Sequence, residues 1–401
     1  MRILVALTYY RPHLSGLTIY VERLVTALAA RGHEVTVLAS RHDASRPREA
    51  QEDGVRVVRA PVAFRAGKGV VMPAHGRLAT RLLRDHDVLS LHVPQFEAGS
   101  LALRARLRHR PIVMTYHCDL QLPAGAVNRV VDRVMATSNA VAARLSDAIV
   151  AYTEDYANSV ALLRRFRAKV EVVPPPVVMP APGPRAVDEF RRRWLPETPS
   201  ASAGSPVIGM AARLATEKGV DVLLEALPAL EQRFPGVRVL FAGPHHDVPG
   251  EHAYRAKLEP SIRRLGDRWR FVGALDPLHE MPAFLASLDC LVVPSVNSTE
   301  SFGLVQVEAM LCGTPVVASG LPGVREVVRT TGMGEVVAPG DAAALAAAIA
   351  RVVGEPERYR PEREAIEEIY ALDRTVTRYE QLFAAVLGAP RAGRGTAPSR
   401  A

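Results

Sequence analysis

The sequence predicts an α/β protein made of two doubly wound domains. Short continuous apolar runs alternate with segments of helical periodicity, which is typical of buried parallel strands separated by helices. A proline-rich segment beginning at Pro174 interrupts this alternation, which restarts at Val207. The 401 residues suffice for two such domains. Because open α/β sheets bind ligands at the carboxyl ends of their strands, two facing domains predict a central cleft.

The first strand–helix–strand unit lies near the N-terminus. Arg2–Leu7 is a continuous apolar run, Leu17–Arg31 has apolar residues at helical spacing, and Gly32 ends that helix before the run Glu34–Ala39. Further strands of the first domain are predicted at Val55–Arg59, Val88–His92, Ile112–His117, Ala148–Tyr152 and Val170–Val173.

The segment Pro174–Pro184 is predicted to be a stiff, extended connection, because proline fixes φ and removes amide donors. A softer stretch rich in Ser, Ala, Gly and Pro follows at Pro196–Pro206, and a short charged helix, Val187–Trp194, is predicted between the two. Strands of the second domain are predicted at Val207–Ala212, Val237–Ala242, Trp269–Val272, Cys290–Val293 and Val316–Ala318. Helices are predicted at Val220–Phe234, Tyr254–Leu265, Glu280–Ser287 and Leu304–Cys312.

We therefore expect an N-terminal domain over residues 1–180 and a C-terminal domain over residues 200–370. A last amphipathic helix is predicted at Leu372–Leu387, about residues 372–388. The tail 389–401, composed mainly of Gly, Pro, Ala and Arg, is predicted to be disordered.

The composition excludes several classes of protein. The net charge is +8, with 46 arginines and only four lysines, which permits phosphate or carboxylate ligands and an anionic membrane surface. No basic stripe is interleaved with aromatic residues, so nucleic acid is not an expected partner. The three cysteines have no C-x-x-C spacing, which argues against a zinc site or a disulfide framework. With no apolar run of ~18–20 residues and no signal-peptide cleavage site, we expect a cytoplasmic protein, with peripheral docking on the inner membrane face left open.

The segment Pro294–Ser319 carries the strongest chemical signal. Glu300 and Glu308 stand eight residues apart, and Ser301–Gly303 open a helix after a predicted strand. The first amides of a helix have no intrahelical acceptors and favour an anion. A carboxylate on each side of these amides suits the hydroxyl groups of a ribose or a hexose. An ordinary helix with surface glutamates explains the same spacing.

A second segment, Ala211–Gly219, places two cations after a strand. Arg213 ends the strand and Lys218 begins a helix, so together they form a diphosphate clamp. Salt-bridged surface cations are the alternative.

Four further positions follow predicted strands. Gly16 precedes a helix and suits a backbone amide close to a phosphate, while Gly243 and Gly273 expose backbone to a nucleotide base. Ordinary turn glycines without a ligand explain these three positions as well. His117 ends a strand, where it can contact a sugar hydroxyl or be a buried structural histidine.

In this order and in these loops, the segments resemble the retaining GT-B glycosyltransferases of family four over nearly the whole chain. The stretch ARLATEKG resembles the arginine–lysine diphosphate motif of that family, and PSVNSTESFGLVQVEAMLCGTPVVAS resembles its E-x7-E block. RGHEVTVLAS resembles the second strand of its first domain, and Leu372–Leu387 resembles the helix that crosses back to that domain. The chain departs from the usual pattern at Ser15, Ser301 and the proline connection.

The resemblance implies a GT-B fold and a role for each matching residue. Arg213 and Lys218 bind the donor diphosphate, Glu308 binds the ribose, and Glu300 holds the transferred sugar. The implied catalytic set is Arg213, Lys218, Glu300 and His117. The donor-binding set, including the glycines after strands, is Gly16, Gly243, Gly273, Ser301, Phe302, Gly303, Leu304 and Glu308.

The predicted function is transfer of a hexose-type sugar from a UDP- or GDP-linked donor to an acceptor hydroxyl, with retention and without a metal or other cofactor. The acceptor is a glycolipid, a polysaccharide precursor or a small molecule, with Arg65, Lys68 and Asp119 as candidate contacts. Two alternatives stay open. One is a nucleotide-sugar epimerase or phosphorylase on the same fold, and the other is a non-catalytic nucleotide-sugar-binding protein.

Overall fold

The computed structural model of the chain contains two sheets of mainly parallel strands, and helices cover both sheets. The structure describes residues 1–66, 69–119, 121, 125–197, 204–359 and 363–389. The sheets correspond to two Rossmann-like domains, and their buried faces are built from Val, Leu, Ile and Ala. Within the described residues, no helix is both long and apolar enough to cross a bilayer.

The N-terminal sheet has eight strands in the order β10-β9-β8-β7-β1-β2-β4-β3. The strands of this half of the chain, including the separate hairpin β5–β6, are β1 (Arg2–Ala6), β2 (Glu34–Arg41), β3 (Glu49–Glu52), β4 (Val55–Pro61), β5 (Phe64–Ala66), β6 (Gly69–Val71), β7 (Val88–Val93), β8 (Ile112–Tyr116), β9 (Ala148–Ala151) and β10 (Val170–Val172). All neighbours in the sheet pair in parallel except β3, which runs antiparallel to β4 at the edge. The strand order reverses beside β1, so the loops after β1 and β7 flank a crevice.

The helices of this half are α1 (Gly16–Ala30), α2 (His75–Asp85), α3 (Ala98–Leu107), α4 (Ala126–Leu145), α5 (Glu154–Ser159) and α6 (Ala161–Arg165). Helix α1 begins where the Ser15 side chain accepts a hydrogen bond from the Thr18 amide, and it buries Tyr20 and Leu24 against the sheet. It ends before Gly32, whose φ of 84° is left-handed.

A proline-rich segment, Val173–Gly183, joins the two domains and is called the connection below. Its carbonyls are bound from other parts of the chain: Thr375 donates to Pro174 O at 2.9 Å and Arg363 donates to Met179 O at 2.7 Å. Helix α7 (Pro184–Trp194) follows and packs on the C-terminal domain, with the Phe190 ring 6.0 Å from that of Phe284.

The C-terminal sheet has six parallel strands in the order β13-β12-β11-β14-β15-β16. Its strands are β11 (Val207–Ala211), β12 (Arg238–Ala242), β13 (Trp269–Gly273), β14 (Cys290–Val293), β15 (Val316–Ser319) and β16 (Gly334–Val337). Its helices are α8 (Val220–Arg233), α9 (His252–Leu265), α10 (Met281–Ala286), α11 (Leu304–Leu311), α12 (Val324–Thr331) and α13 (Ala342–Gly354). This is the doubly wound order in which the direction of progression reverses between the first and fourth strands. The switch point therefore lies between the loops after β11 and β14.

The chain ends with α14 (Arg363–Tyr370) and α15 (Leu372–Gly388). Helix α15 packs on the N-terminal domain, where the buried Tyr379 hydroxyl lies 2.7 Å from the hydroxyls of both Tyr20 and Thr115. The tail predicted to be disordered lies, apart from Ala389, outside the described residues.

Every strand predicted from an apolar run is a strand of one of the two sheets, with ends that differ by a residue or two. The sequence analysis missed β3, the hairpin β5–β6 and β16. The segment EAQE of β3 is polar because this strand lies at an exposed sheet edge, where no apolar face is needed. The hairpin contains Arg65, one of the candidate acceptor contacts, whereas Lys68, another of them, lies outside the described residues.

Candidate functional site

The loop after β11 carries two cations to the switch point of the C-terminal sheet. Arg213 donates to Glu217 at 3.1 Å, and 36% of its side chain stays exposed. Lys218 ends a one-turn 3₁₀ helix, Thr216–Lys218, whose start is tied down because Glu251 accepts hydrogen bonds from both the amide and the hydroxyl of Thr216. The loop therefore presents both cations from a fixed backbone.

The loop after β14 brings a carboxylate to the same place. Glu300 Oε2 lies 2.5 Å from Lys218 Nζ and 3.5 Å from the Ser295 hydroxyl. The Glu300 and Lys218 side chains are only 17% and 23% exposed, so water screens this pair little. Two residues that are 82 positions apart thus meet because β11 and β14 are neighbours.

Gly219 makes this approach of the two loops feasible, and the sequence analysis gave it no role. Its φ is 68°, and a Cβ at this position would lie 2.0 Å from the carbonyl oxygen of Pro294 in the other loop. The sequence contained a signal for this role, because Gly219 stands directly before a predicted helix and glycine readily adopts left-handed backbone.

The helix that follows Glu300 begins at Leu304, after Gly303 with a φ of 74°. The two residues before that glycine are anchored by their side chains. Ser301 donates through its hydroxyl to the carbonyl of His117 in the N-terminal domain, and the Phe302 ring is buried between Tyr152 and Tyr370. Neither side chain can then reach a ligand, but the amides at the start of α11 keep the anion-binding geometry of a helix N-terminus.

The second glutamate of the block, Glu308, forms an ion pair with the other domain. Arg23 on α1 donates to Glu308 Oε1 at 2.8 Å, and the two side chains are 10% and 11% exposed. The sequence analysis assigned no role to Arg23, because nothing in the local pattern of α1 distinguishes it from a surface arginine.

The start of α1 faces the start of α11. A Cβ built on Gly16 would lie 3.9 Å from Leu304 Cδ1, which is ordinary contact. Ser15 uses its side chain to cap Thr18, so the amides of Gly16 and Leu17 have no acceptor within the helix. The two helix starts therefore approach each other across the cleft.

His117 lies in the buried environment that the sequence analysis gave as the alternative to a sugar contact. Its side chain is buried and both ring nitrogens have partners: Tyr152 OH at Nδ1 and His92 Nδ1 at 2.9 Å from Nε2. Burial lowers the pKa of His117 well below its usual value, and His92 lowers it further. The imidazole is thus neutral and belongs to a buried series of hydrogen bonds from His92 to Tyr152. The contact of His117 with the other domain is made by its backbone carbonyl. A histidine at a strand end fits both a ligand contact and this structural role, so the sequence pattern does not distinguish them.

Gly243 also has a structural reason. Its φ is 123°, and a Cβ at this position would lie 2.2 Å from the carbonyl oxygen of Ala212. Glycine is therefore needed where the loop after β12 passes the loop after β11. Gly273 has a φ of 80° and, among the described atoms, none within 4 Å of a Cβ, so it leaves room for a ligand.

Two of the candidate acceptor residues are held in the N-terminal domain. The carboxylate of Asp119 accepts one hydrogen bond from the Tyr116 hydroxyl, and the Asp119 amide donates to Tyr156 OH at 3.0 Å. Arg65 is exposed and donates to the carbonyl of His42 at 2.8 Å.

Beside Arg65 lies a cluster of three rings that the sequence analysis missed. Tyr9 and His13 follow β1 and stack with centroids 4.7 Å apart, while His42 follows β2 and meets Tyr9 edge-on at 5.3 Å. Burial lowers the pKa of His13 to about 4 and also lowers the pKa of His42, and the positive charge of Arg65 acts in the same direction on both. The two imidazoles are therefore neutral at neutral pH and lie in a positive field, to which Arg213 of the C-terminal domain contributes at His13.

Two sequence families match complementary parts of the chain. The family described as "Glycosyl transferases group 1" matches residues 195–369, and the "Glycosyl transferase 4-like domain" matches residues 15–176. A 2-deoxystreptamine N-acetyl-D-glucosaminyltransferase from Streptomyces fradiae is 30% identical over 86% of this chain and 84% of its own. A D-inositol 3-phosphate glycosyltransferase from Xylanimonas cellulosilytica is 33% identical over 78% of this chain and 77% of its own. The chain belongs to the GT-B glycosyltransferases of family four.

Other relatives of this glycosyltransferase agree with that assignment. A 2-deoxystreptamine glucosyltransferase from Streptomyces kanamyceticus is 33% identical, and the match spans 65% of this chain and 65% of the relative. Among solved structures, Anabaena Alr3699/HepE in complex with UDP-glucose superimposes with a TM-score of 0.77 at 20% identity, over 96% of this chain and 100% of that one. The structural likeness confirms the predicted GT-B fold.

Gly219→Ala should destabilise the glycosyltransferase more than Gly332→Ala. Both glycines have a φ near 68°, so both variants pay the left-handed strain of about 1–2 kcal/mol. Only Gly219→Ala adds a clash with backbone, worth about 1–3 kcal/mol more, because no described atom lies within 4 Å of a Cβ on Gly332. Differential scanning fluorimetry measures the two melting temperatures, and equal decreases would contradict the close approach of the loops.

Proposed function

We propose that this glycosyltransferase moves a hexose-type sugar from a nucleotide diphosphate sugar to an acceptor hydroxyl, with the anomeric configuration retained. The observation that carries the proposal is the contact between Lys218 and Glu300 at the switch point, beside Arg213 and the N-terminus of α11. Two cations, a helix N-terminus and a carboxylate at one place match the diphosphate and the sugar hydroxyls of such a donor.

Donor binding exchanges the partners of the ion pair. The diphosphate takes Lys218, Arg213 and the first amides of α11, and Glu300 is then free to accept hydrogen bonds from the transferred sugar. Glu308 accepts the ribose hydroxyls through its second oxygen, Oε2, since Oε1 is held by Arg23. The Gly16 amide approaches the diphosphate from the N-terminal domain, and Gly273 leaves space for the base.

In the reaction, the bond between the anomeric carbon and the phosphate oxygen breaks, and a bond to the acceptor oxygen forms on the same face. The acceptor proton moves to an oxygen of the leaving diphosphate. Arg213, Lys218 and the α11 amides stabilise the charge that develops on that group, which is usually a large part of catalysis. These fixed cations make a metal ion unnecessary in the proposal, and the buried imidazole of His117 takes no part in proton transfer.

The acceptor we propose is a cyclitol, a six-membered carbocycle that carries hydroxyl groups. The relatives are named for 2-deoxystreptamine and D-inositol 3-phosphate, which are both cyclitols. In this chain the ring cluster Tyr9–His13–His42 offers flat faces against which such a ring can pack. Arg65 and the positive field at His13 favour a cyclitol with a phosphate over a cationic aminocyclitol.

A nucleotide panel tests the donor. UDP should raise the melting temperature of the protein more than GDP or ADP, since the Anabaena structure of the same fold is a UDP-glucose complex. At a UDP concentration of 100 times its Kd the stabilisation should be about 2.7 kcal/mol. Differential scanning fluorimetry gives the three shifts, and a larger response to GDP or ADP would contradict the choice of UDP.

Lys218→Gln should lower kcat by about 10²–10³-fold, because it removes a cation from the leaving diphosphate. Lys257→Gln is the matched control: Lys257 is 66% exposed in an ion pair with Asp221 and should leave kcat within about twofold. Product formation from UDP-hexose is measured with and without acceptor. A wild-type kcat in Lys218→Gln would remove the clamp from the mechanism, and a product formed from donor alone, such as an epimer, would favour the epimerase alternative.

The acceptor proposal predicts a ranking of substrates. An inositol phosphate should give a higher kcat/KM than myo-inositol, and 2-deoxystreptamine should give the lowest of the three. Arg65→Gln should raise KM for the phosphate by about tenfold, equivalent to ~1.4 kcal/mol, because it removes one charge-assisted contact. Arg56→Gln, which breaks a pair with Glu49 at the exposed sheet edge, is the control. Preference for 2-deoxystreptamine would contradict the assigned charge of the acceptor.

A further inference from the structure

Arg23 joins three parts of the protein with one side chain. Its guanidinium donates to Glu308 Oε1 in the C-terminal domain at 2.8 Å, and to the carbonyl oxygens of Pro176 and Val178 in the connection at 3.2 Å each. The residue itself lies in the second turn of α1 in the N-terminal domain. A planar guanidinium can satisfy three acceptors in this way, whereas an ammonium group lacks the fixed fork.

The pair is nearly buried, which makes Arg23 important to the state of Glu308. Because both side chains are only about a tenth exposed, removing the guanidinium would leave an uncompensated carboxylate in a low-dielectric environment. Such a carboxylate turns toward water, and its second oxygen would then no longer keep the orientation that a hydroxyl ligand requires.

The contact also depends on how the domains are arranged. Arg23 is about two turns from Gly16 along α1, and Glu308 is about one and a half turns from Gly303 along α11, so the ion pair forms when the two helix starts face each other. Opening the cleft at the connection would separate Arg23 from Glu308. The carboxylate is therefore fixed in the closed arrangement and released in an open one.

We propose that Arg23 is a positioning residue of the donor site, which orients Glu308 toward the ribose and thereby couples domain closure to nucleotide affinity. The inference rests on the proposed role of Glu308 in the donor site. Arg23 acts through Oε1 of Glu308, and Oε2 accepts the hydroxyl groups of the ribose. Nucleotide binding and closure then favour each other, because each requires the same orientation of one carboxylate.

A second ion pair across the domains supplies a matched control. Arg325 on α12 donates to both carboxylate oxygens of Asp155 on α5, at 2.7 and 2.9 Å. This pair ties the domains together without touching Glu308. Arg325→Met therefore removes an interdomain arginine of similar geometry, while the carboxylate of Glu308 keeps its partner.

The test compares UDP with 2′-deoxyuridine diphosphate, which lacks one ribose hydroxyl, by isothermal titration calorimetry on the full chain. Wild type and Arg325→Met should bind UDP at least tenfold more tightly than the deoxy compound. In Arg23→Met and Glu308→Gln this ratio should fall toward one, with partial recovery in Arg23→Lys. The double variant Arg23→Met/Glu308→Gln should bind UDP no more weakly than Glu308→Gln alone.

The outcomes separate the inference from the proposed function. Failure of the wild type to bind any nucleoside diphosphate would overturn the proposed function, and the inference with it. A wild-type protein that binds UDP but does not discriminate the deoxy compound overturns only the ribose role of Glu308 and the inference that depends on it. An Arg23→Met variant that is folded by circular dichroism and keeps the wild-type ratio overturns the positioning role of Arg23 alone.

Discussion

The contact between Lys218 and Glu300 is the interaction on which the arrangement of the site depends. It joins the loops after β11 and β14, which are adjacent strands although they lie far apart in the sequence. The close approach requires a left-handed glycine at position 219, because any side chain there would collide with the carbonyl of Pro294. The strand order thus brings the two loops together, Gly219 allows them to approach closely, and the ion pair between Lys218 and Glu300 forms as a result. The result is a preorganised site in which an anionic ligand needs only to replace Glu300 as the partner of Lys218.

The relation between the two domains follows from the connection. Proline removes amide donors there but leaves every carbonyl in need of a partner. Side chains from both sides supply those partners: Arg23 from the N-terminal domain, Thr375 from α15 and Arg363 from α14. The connection is therefore held along its length rather than left as a free linker. The closed arrangement of the domains is stabilised by the same contacts that bring α1 next to α11.

Features that are local in sequence could be predicted, and those that depend on distant partners could not. Continuous apolar runs identified the strands, and the motifs placed Arg213, Lys218 and Glu300 in loops after strands, whereas the adjacency of those strands comes from the sheet order. The analysis placed His117 at a strand end but could not decide between a sugar contact and a buried structural role, since its partners Tyr152 and His92 lie on or next to other strands. The ring cluster was missed for the same reason. It assembles only because β1 and β2 pair, and no spacing in the sequence records that Tyr9 and His42 touch.

The excess of arginine over lysine has a structural use as well as any compositional origin. Arg31 contacts Thr377, Glu380 and Asp373 and so fastens α15 to the end of α1, much as Arg23 and Arg363 fasten the connection. Each of these guanidinium groups binds several acceptors on different elements at once, which the fork geometry permits and an ammonium group does poorly. Lysine at such positions would keep the charge but lose part of the cross-link. In a chain whose two domains meet through a proline-rich segment, arginine is therefore the residue that makes a single closed arrangement specific.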